Sequence, residues 1–177
     1  MKRNSASRAA LLGILTAEAL ALSFLEGLIP PIPGMPPGAK PGLSNIITMF
    51  TVYSVGWQEA LVITVLKAIF AALTRGVTAG LMSLSGGLLS TAALILLSKF
   101  SKDRFGYLGI SVICAVIHNL GQLLVSFILL GSAAVFGYIP FLILFAVVTG
   151  ALTGTVLKVT MPVLIKQIKF SSFYKRG

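Results

Sequence analysis

The sequence predicts an all-α membrane protein, a bundle of six transmembrane helices with both termini in the cytoplasm. Three observations lead there. Of the 177 residues, 56% are hydrophobic and only 10% charged, with a mean hydropathy of +1.00; a soluble domain carries about 25% charged residues. The apolar residues gather in runs close to the roughly 20 residues that one helical crossing needs. Finally, 14 Lys and Arg stand against 4 acidic residues, a net charge of +10, and the basic residues punctuate the runs instead of filling a polar surface interleaved with aromatics. That pattern sets a nucleic-acid partner aside and leaves the lipid bilayer of the cytoplasmic membrane as the expected surroundings.

The first run, residues 9–29, follows Lys2, Arg3 and Arg8 and ends in Pro30-Pro31-Ile32-Pro33-Gly34-Met35-Pro36-Pro37-Gly38, which can neither continue a helix nor pair in a sheet. Its length, its two Glu residues and the lack of a small-residue cleavage site argue against a removable signal peptide. Residues 43–73 form a 31-residue stretch, too long for one ordinary span and short for two, with a turn signal at Gly56-Trp57-Gln58-Glu59. Parity decides between them. Three basic residues near the N-terminus and Lys166, Lys169, Lys175 and Arg176 near the C-terminus place both ends inside, so the number of crossings is even. The stretch then divides into helices 43–56 and 57–73, followed by 78–98, 107–131 and 138–159, with a basic, interfacial segment over 160–177. The loop 99–104 is cytoplasmic under this scheme, whereas Lys40 and Arg75 fall outside. The second helix, at about 21 Å, is shorter than a hydrocarbon core of about 30 Å. It must be shielded by its neighbours, or the loop before it must dip into the bundle. One domain, residues 1–177, is expected.

Composition also removes several chemistries. With Asp103 as the one aspartate, and Glu18, Glu26 and Glu59 as the glutamates, there is no carboxylate cluster for a divalent metal. One Cys, Cys114, and one His, His118, exclude zinc clusters, disulfide frameworks and iron–sulfur sites within a chain. No phosphate-loop motif occurs. The chain is therefore expected not to be an enzyme and to need no metal or cofactor.

Two patterns on the helix faces carry the functional expectations. Ser5, Ala9, Gly13, Ala17 and Ala21 repeat every four residues on the first helix, a ridge that lets another helix approach closely. It either packs inside the bundle or offers a docking face to a separate membrane subunit. The pairs Gly76/Gly80 and Gly150/Gly154 read as contacts within the bundle. Polar groups inside a membrane are expensive, and here they converge on the outer half: Glu26 near the end of helix one, Lys40 in the first loop, Asn45 at the start of helix two, Lys67 and Arg75 on helix three, Ser83 and Ser85 on helix four, and His118, Asn119 and Gln122 on helix five. Three cations beside one Glu suit an anion such as a phosphate or carboxylate. The competing readings are interfacial anchoring for Lys40 and Arg75, an internal pair of Lys67 with Glu26 or Glu18, and simple packing for His118.

The strings Glu26-Gly27-Leu28-Ile29-Pro30, Pro37-Gly38-Ala39-Lys40-Pro41-Gly42-Leu43-Ser44-Asn45-Ile46, Ser83-Leu84-Ser85-Gly86-Gly87 and His118-Asn119-Leu120-Gly121-Gln122 resemble the Gx transporter family, also described as heptaprenyl diphosphate synthase component I. The similarity runs from about Leu11 to about Leu157, and Pro41 departs from the family's pattern. That family looks like the substrate-binding S-components of energy-coupling factor transporters, which are six-helix membrane proteins. The resemblance implies a membrane T-component and two cytoplasmic ATPases as partners. It also implies a small anionic amphipathic substrate, an isoprenoid phosphate or a quinone or vitamin precursor, captured from outside beneath the loop between helices one and two. Ala9, Gly13, Ala17 and Ala21 would then meet the T-component. The alternative is a non-catalytic membrane subunit of a heptaprenyl diphosphate synthase, which needs no pocket and gives no reason for charges in the outer half of the membrane.

Overall fold

The computed structural model describes the backbone of residues 5–30, 32–100 and 102–174, and the side chains of residues 8–30, 32–99 and 105–162. It is all-α, with six helices and no strand among the described residues: α1 Ser5–Leu28, α2 Asn45–Ser54, α3 Trp57–Arg75, α4 Val77–Phe100, α5 Lys102–Leu130 and α6 Ile139–Tyr174, the last preceded by a 3-10 turn at Ala133–Tyr138. Five stretches are long and apolar enough to cross a membrane: Arg8–Leu28, Trp57–Arg75, Val77–Lys99, Phe105–Leu130 and Ala133–Pro162. The chain is a multi-pass membrane protein.

Differences from expectation cluster at the ends of elements. α2 has 10 residues where 14 were expected, and so reaches only about 15 Å. The basic residues of the loop 99–104 border a sharp bend: α5 takes a left-handed conformation at Gly106, with φ 58°, so its straight part begins at the expected residue 107. α6 continues through Pro162 to Tyr174, making the C-terminal segment an extension of the last span. Lys2, Arg3, Lys175 and Arg176 lie outside the described residues, as do the side chains of Ser5, Lys102, Asp103, Arg104, Lys166 and Lys169.

The shortness of α2 is explained by the segment 32–44. It descends into the bundle through successive tight turns. Ile32-Pro33-Gly34-Met35 and Pro36-Pro37-Gly38-Ala39 each close with an N–H donated back to the first carbonyl, at 3.1 and 3.0 Å. Gly34 and Gly38 both have φ 87°, so Pro at the second and Gly at the third position supply the two conformations that a type II turn requires. Met35 and Ala39 are buried against Met82, Leu123, Val135 and Leu142. The segment is thus a packed plug.

The helices alternate in direction. Arg8 pairs with Glu59 at the first turns of α1 and α3, while Gly27 meets Arg75 at their last turns. Met82 of early α4 packs with Leu123 of late α5. Leu94, Ile110, Leu157 and Met161 close the opposite end with Met49 of α2. Glycines set the closest approaches: a Cβ at Gly150 or Gly154 would lie 2.5 or 2.6 Å from the Cα of Val112 or Leu108, and one at Gly121 would lie 2.8 Å from the Cα of Gly86. Gly80 likewise packs on Ala72, whereas Gly76, with φ 94°, makes the turn between α3 and α4. The two glycine pairs read as internal therefore serve inside the bundle in three of their four positions.

Candidate functional site, a cation cluster under the first loop

At the end of the bundle where α1 and α3 finish and α4 begins, the plug encloses a cavity. Ser23, Glu26, Lys40, Lys67, Arg75, Ser83, His118 and Gln122 line it, with Ala79, Met82 and the plug's glycines. Six of the nine expected binding residues thus face one another. Asn45 stands at the inner edge, lining an adjoining chamber and accepting a 2.7 Å hydrogen bond from Lys67 Nζ.

Each charged group has a different environment. Glu26, 4% exposed, accepts hydrogen bonds from the main-chain N–H of Leu43 and, at 3.4 Å, of Ser44. These amides immediately precede α2, so the carboxylate anchors the helix start and offsets its unpaired N–H groups. Lys67, 3% exposed, uses one of its three N–H donors on Asn45. The Arg75 stem lies across Gly27, where a Cβ would come within 3.2 Å of Cδ, and its Nη1 is buried without a hydrogen-bond partner. Lys40 is fastened through its backbone: its N–H donates to Gln122 Oε1 at 2.9 Å, and its carbonyl accepts from Gln122 Nε2 at 3.0 Å. Its ammonium donates to the Ile29 carbonyl at 2.5 Å. Burial, then the nearby positive charge of Arg75, holds the Lys40 pKa below the ordinary lysine value, with Glu26 opposing them.

The single ion pair among the described residues is Arg8–Glu59, at the far end. Glu26 therefore makes no direct pair with Lys40, Lys67 or Arg75. Lys67 does not pair with Glu18 either, which is exposed on the opposite side of α1. Three cations face one carboxylate, an excess of two positive charges, with Lys67 buried and Lys40 and Arg75 part-exposed. Buried charge without a counter-charge is strongly unfavourable. The arrangement fits an anion that several N–H donors can grip at once. The cavity has about 20 Å³ of free space, room for about one water molecule, so the plug must shift to admit anything larger.

His118 is wedged between glycines. A Cβ at Gly42 would come 2.9 Å from its ring, and one at Gly86 would lie 2.7 Å from its carbonyl and 2.8 Å from Nδ1. Two expected residues stand elsewhere. Ser85 Oγ donates to the Gly121 carbonyl at 2.9 Å and joins α4 to α5. Asn119, one helical step round from His118, turns to α6 and donates to the Leu142 carbonyl at 2.8 Å. Ser23, Ser44 and Thr48 were not singled out in the sequence, because serine and threonine are common in membrane helices. Their signal was position, since Ser23 and Glu26 share the face of α1 that also carries Leu15 and Ala19.

The small-residue ridge lies on the other face of α1. Ala9, Gly13, Ala17 and Ala21 are all exposed, and a Cβ at Gly13 would meet nothing within 4 Å. The bundle itself does not use the ridge. Glu18, also exposed, sits among these residues, ten positions from each end of the span Arg8–Leu28.

Fold and site together define a multi-pass helical membrane protein with a charged cavity closed by its own first loop. The family model for heptaprenyl diphosphate synthase component I matches residues 15–160, and the chain belongs to that family. No curated protein and no solved structure matches it. The chain is thus a multi-pass membrane protein of that family.

Proposed function

We propose that this chain is the substrate-binding S-component of an energy-coupling factor importer. It crosses the membrane six times with both termini in the cytoplasm, and its cavity opens to the outside to take a small anionic substrate. The observation that carries the reading is the charge imbalance in the cavity, where Lys40, Lys67 and Arg75 outnumber Glu26 and Arg75 keeps a buried, unpartnered nitrogen. The plug between α1 and α2 is the entrance. Gln122, Ser83 and His118 orient the substrate's polar atoms. Since α2 is short, its crossing is completed by the plug, whose backbone is shielded from lipid by the surrounding helices.

The exposed face of α1 supports the partner assignment. A charged carboxylate at the centre of a span costs roughly 2.5–3.5 kcal/mol on insertion scales when it faces lipid, and Glu18 occupies that position beside Gly13, Ala17 and Ala21. A T-component helix that packs closely on the ridge and offers a hydrogen-bond donor to Glu18 removes the penalty. Two cytoplasmic ATPases would drive transport. Purification from native membranes tests this: a T-component and two ATPases are expected in the eluate, and Lys40→Ala with Arg75→Ala should abolish binding of the anionic substrate. Unchanged anion binding in that double variant would sink the assignment. The family's description favours a second reading, a non-catalytic membrane subunit of heptaprenyl diphosphate synthase, for which the same purification yields a soluble aspartate-rich synthase.

A further inference from the structure

Inward of the cation cluster lies a second chamber, which shares Gly42 with the first and has about 20 Å³ of free space. Its walls combine apolar surface from Met49, Leu94, Cys114 and Ala115 with the hydroxyls of Thr48 of α2, Ser90 and Thr91 of α4, Ser111 of α5, and Thr149 and Thr153 of α6. All six hydroxyl residues are buried. We infer that the ligand's body, lying inward of its anionic group, is polar and carries hydrogen-bond donors, as in a hydroxylated or heterocyclic phosphate or carboxylate, and that a prenyl chain is excluded. The inference rests on the reading that the cation cluster seats a ligand's negative charge.

The argument lies in where the hydroxyl protons go. Thr149 donates to the Phe145 carbonyl at 2.8 Å and Ser90 to the Gly87 carbonyl at 3.1 Å. Thr91 shares a 3.2 Å contact with Thr64, and Ser111 faces Met49 Sδ at 3.7 Å. The first two protons are spent on the helices' own carbonyls, which leaves oxygen lone pairs available to accept. Thr48 differs: its hydroxyl is buried and has no partner at all. Thr149 and Ser90 bond back to their own turns just as Thr155 and Thr160 do on the exposed part of α6, so the group that sets the chamber apart is the Thr48 hydroxyl, which makes no such bond. A hydrocarbon placed here would leave Thr48 unsatisfied and strip water from the other oxygens, and a site built to hydrogen-bond rejects a ligand that cannot answer it.

The test uses the purified full chain in nanodiscs, with inorganic phosphate, ribose 5-phosphate, pyridoxal phosphate and geranyl phosphate as probes in thermal-shift and competition titrations. At least one polar phosphate should bind about tenfold or more tightly than geranyl phosphate. Thr48→Val should narrow that gap about tenfold, and Thr48→Ser should restore it. The ligand-free melting temperature of each variant separates loss of binding from loss of fold. Geranyl phosphate binding as well as or better than both polar phosphates, or a preference untouched by Thr48→Val, overturns the inference while leaving the anion seat standing. If none of the four probes binds, inorganic phosphate included, the seat itself falls and the inference with it.

Discussion

Replacing Glu26 by Gln separates the two jobs of that carboxylate. Glu26 anchors the start of α2 through the N–H groups of Leu43 and Ser44, and it is the one negative group among Lys40, Lys67 and Arg75. A Gln side chain keeps one acceptor oxygen. It turns a charge-assisted bond into a neutral one, roughly halving it, a loss of about 1 kcal/mol. The second N–H then faces an amide that can only donate, for a further cost of about 1–3 kcal/mol. The sum, about 2–4 kcal/mol, corresponds to a fall of roughly 5–15 °C in melting temperature for a chain of this size. The charge excess meanwhile rises from two to three, so added phosphate should recover more stability in Glu26→Gln than in the native chain. Thermal unfolding in detergent, with and without phosphate, reads both effects. A variant that melts with the native chain and gains no more from phosphate would refute both the anchoring role and the charge accounting.

Three further outcomes follow from the geometry. Gly154→Ala should destabilise the bundle by about 1–3 kcal/mol, because its Cβ would lie 2.6 Å from Leu108 Cα, while Gly13→Ala should leave melting unchanged or slightly raised; thermal unfolding checks both. The lowered Lys40 pKa fixes two opposite slopes: between that value and the ordinary value near 10.5, the unfolded chain holds more protons, so stability rises with pH, while phosphate binding falls as the ammonium is lost. Lys40→Met should flatten both slopes, and melting and phosphate titrations across that range would show it. Glu18→Leu should leave melting intact yet sharply reduce recovery of partner subunits in affinity purification, since the residue is exposed and makes no ion pair within the described residues.

The five long spans were legible because runs of apolar residues and the charges between them report directly on a bilayer. The meeting of Glu26, Lys40, Lys67, Arg75, His118 and Gln122 was legible for a related reason: charge against lipid is costly, so the charged groups of the outer half gather inside the bundle, Glu18 on the outer face of α1 being the exception. What stayed hidden depends on rotation and partners. Asn119 is one residue from His118, yet about 100° of helix turn sends it to α6. Ser85 reads like a site residue and spends its proton on Gly121. The extension of α6 past residue 159 was missed because a lysine-rich segment with a proline resembles a helix end, although the helix tolerates Pro162. Thr48 gave no sign of its unpaired hydroxyl, since only the neighbours show that it lacks a partner.

The two reciprocal bonds between Gln122 and the backbone of Lys40 make one residue both latch and bait. On the proposed reading, Gln122 holds both backbone polar groups of the residue whose ammonium would meet the anion. On the same reading, moving the plug aside breaks both bonds and carries the Lys40 backbone with it, so access to the cavity is coupled to the placement of that ammonium. Apparent affinity then equals intrinsic affinity scaled by the fraction of molecules in the latched form. Weakening Gln122 should lower affinity even for an anion that never touches its side chain.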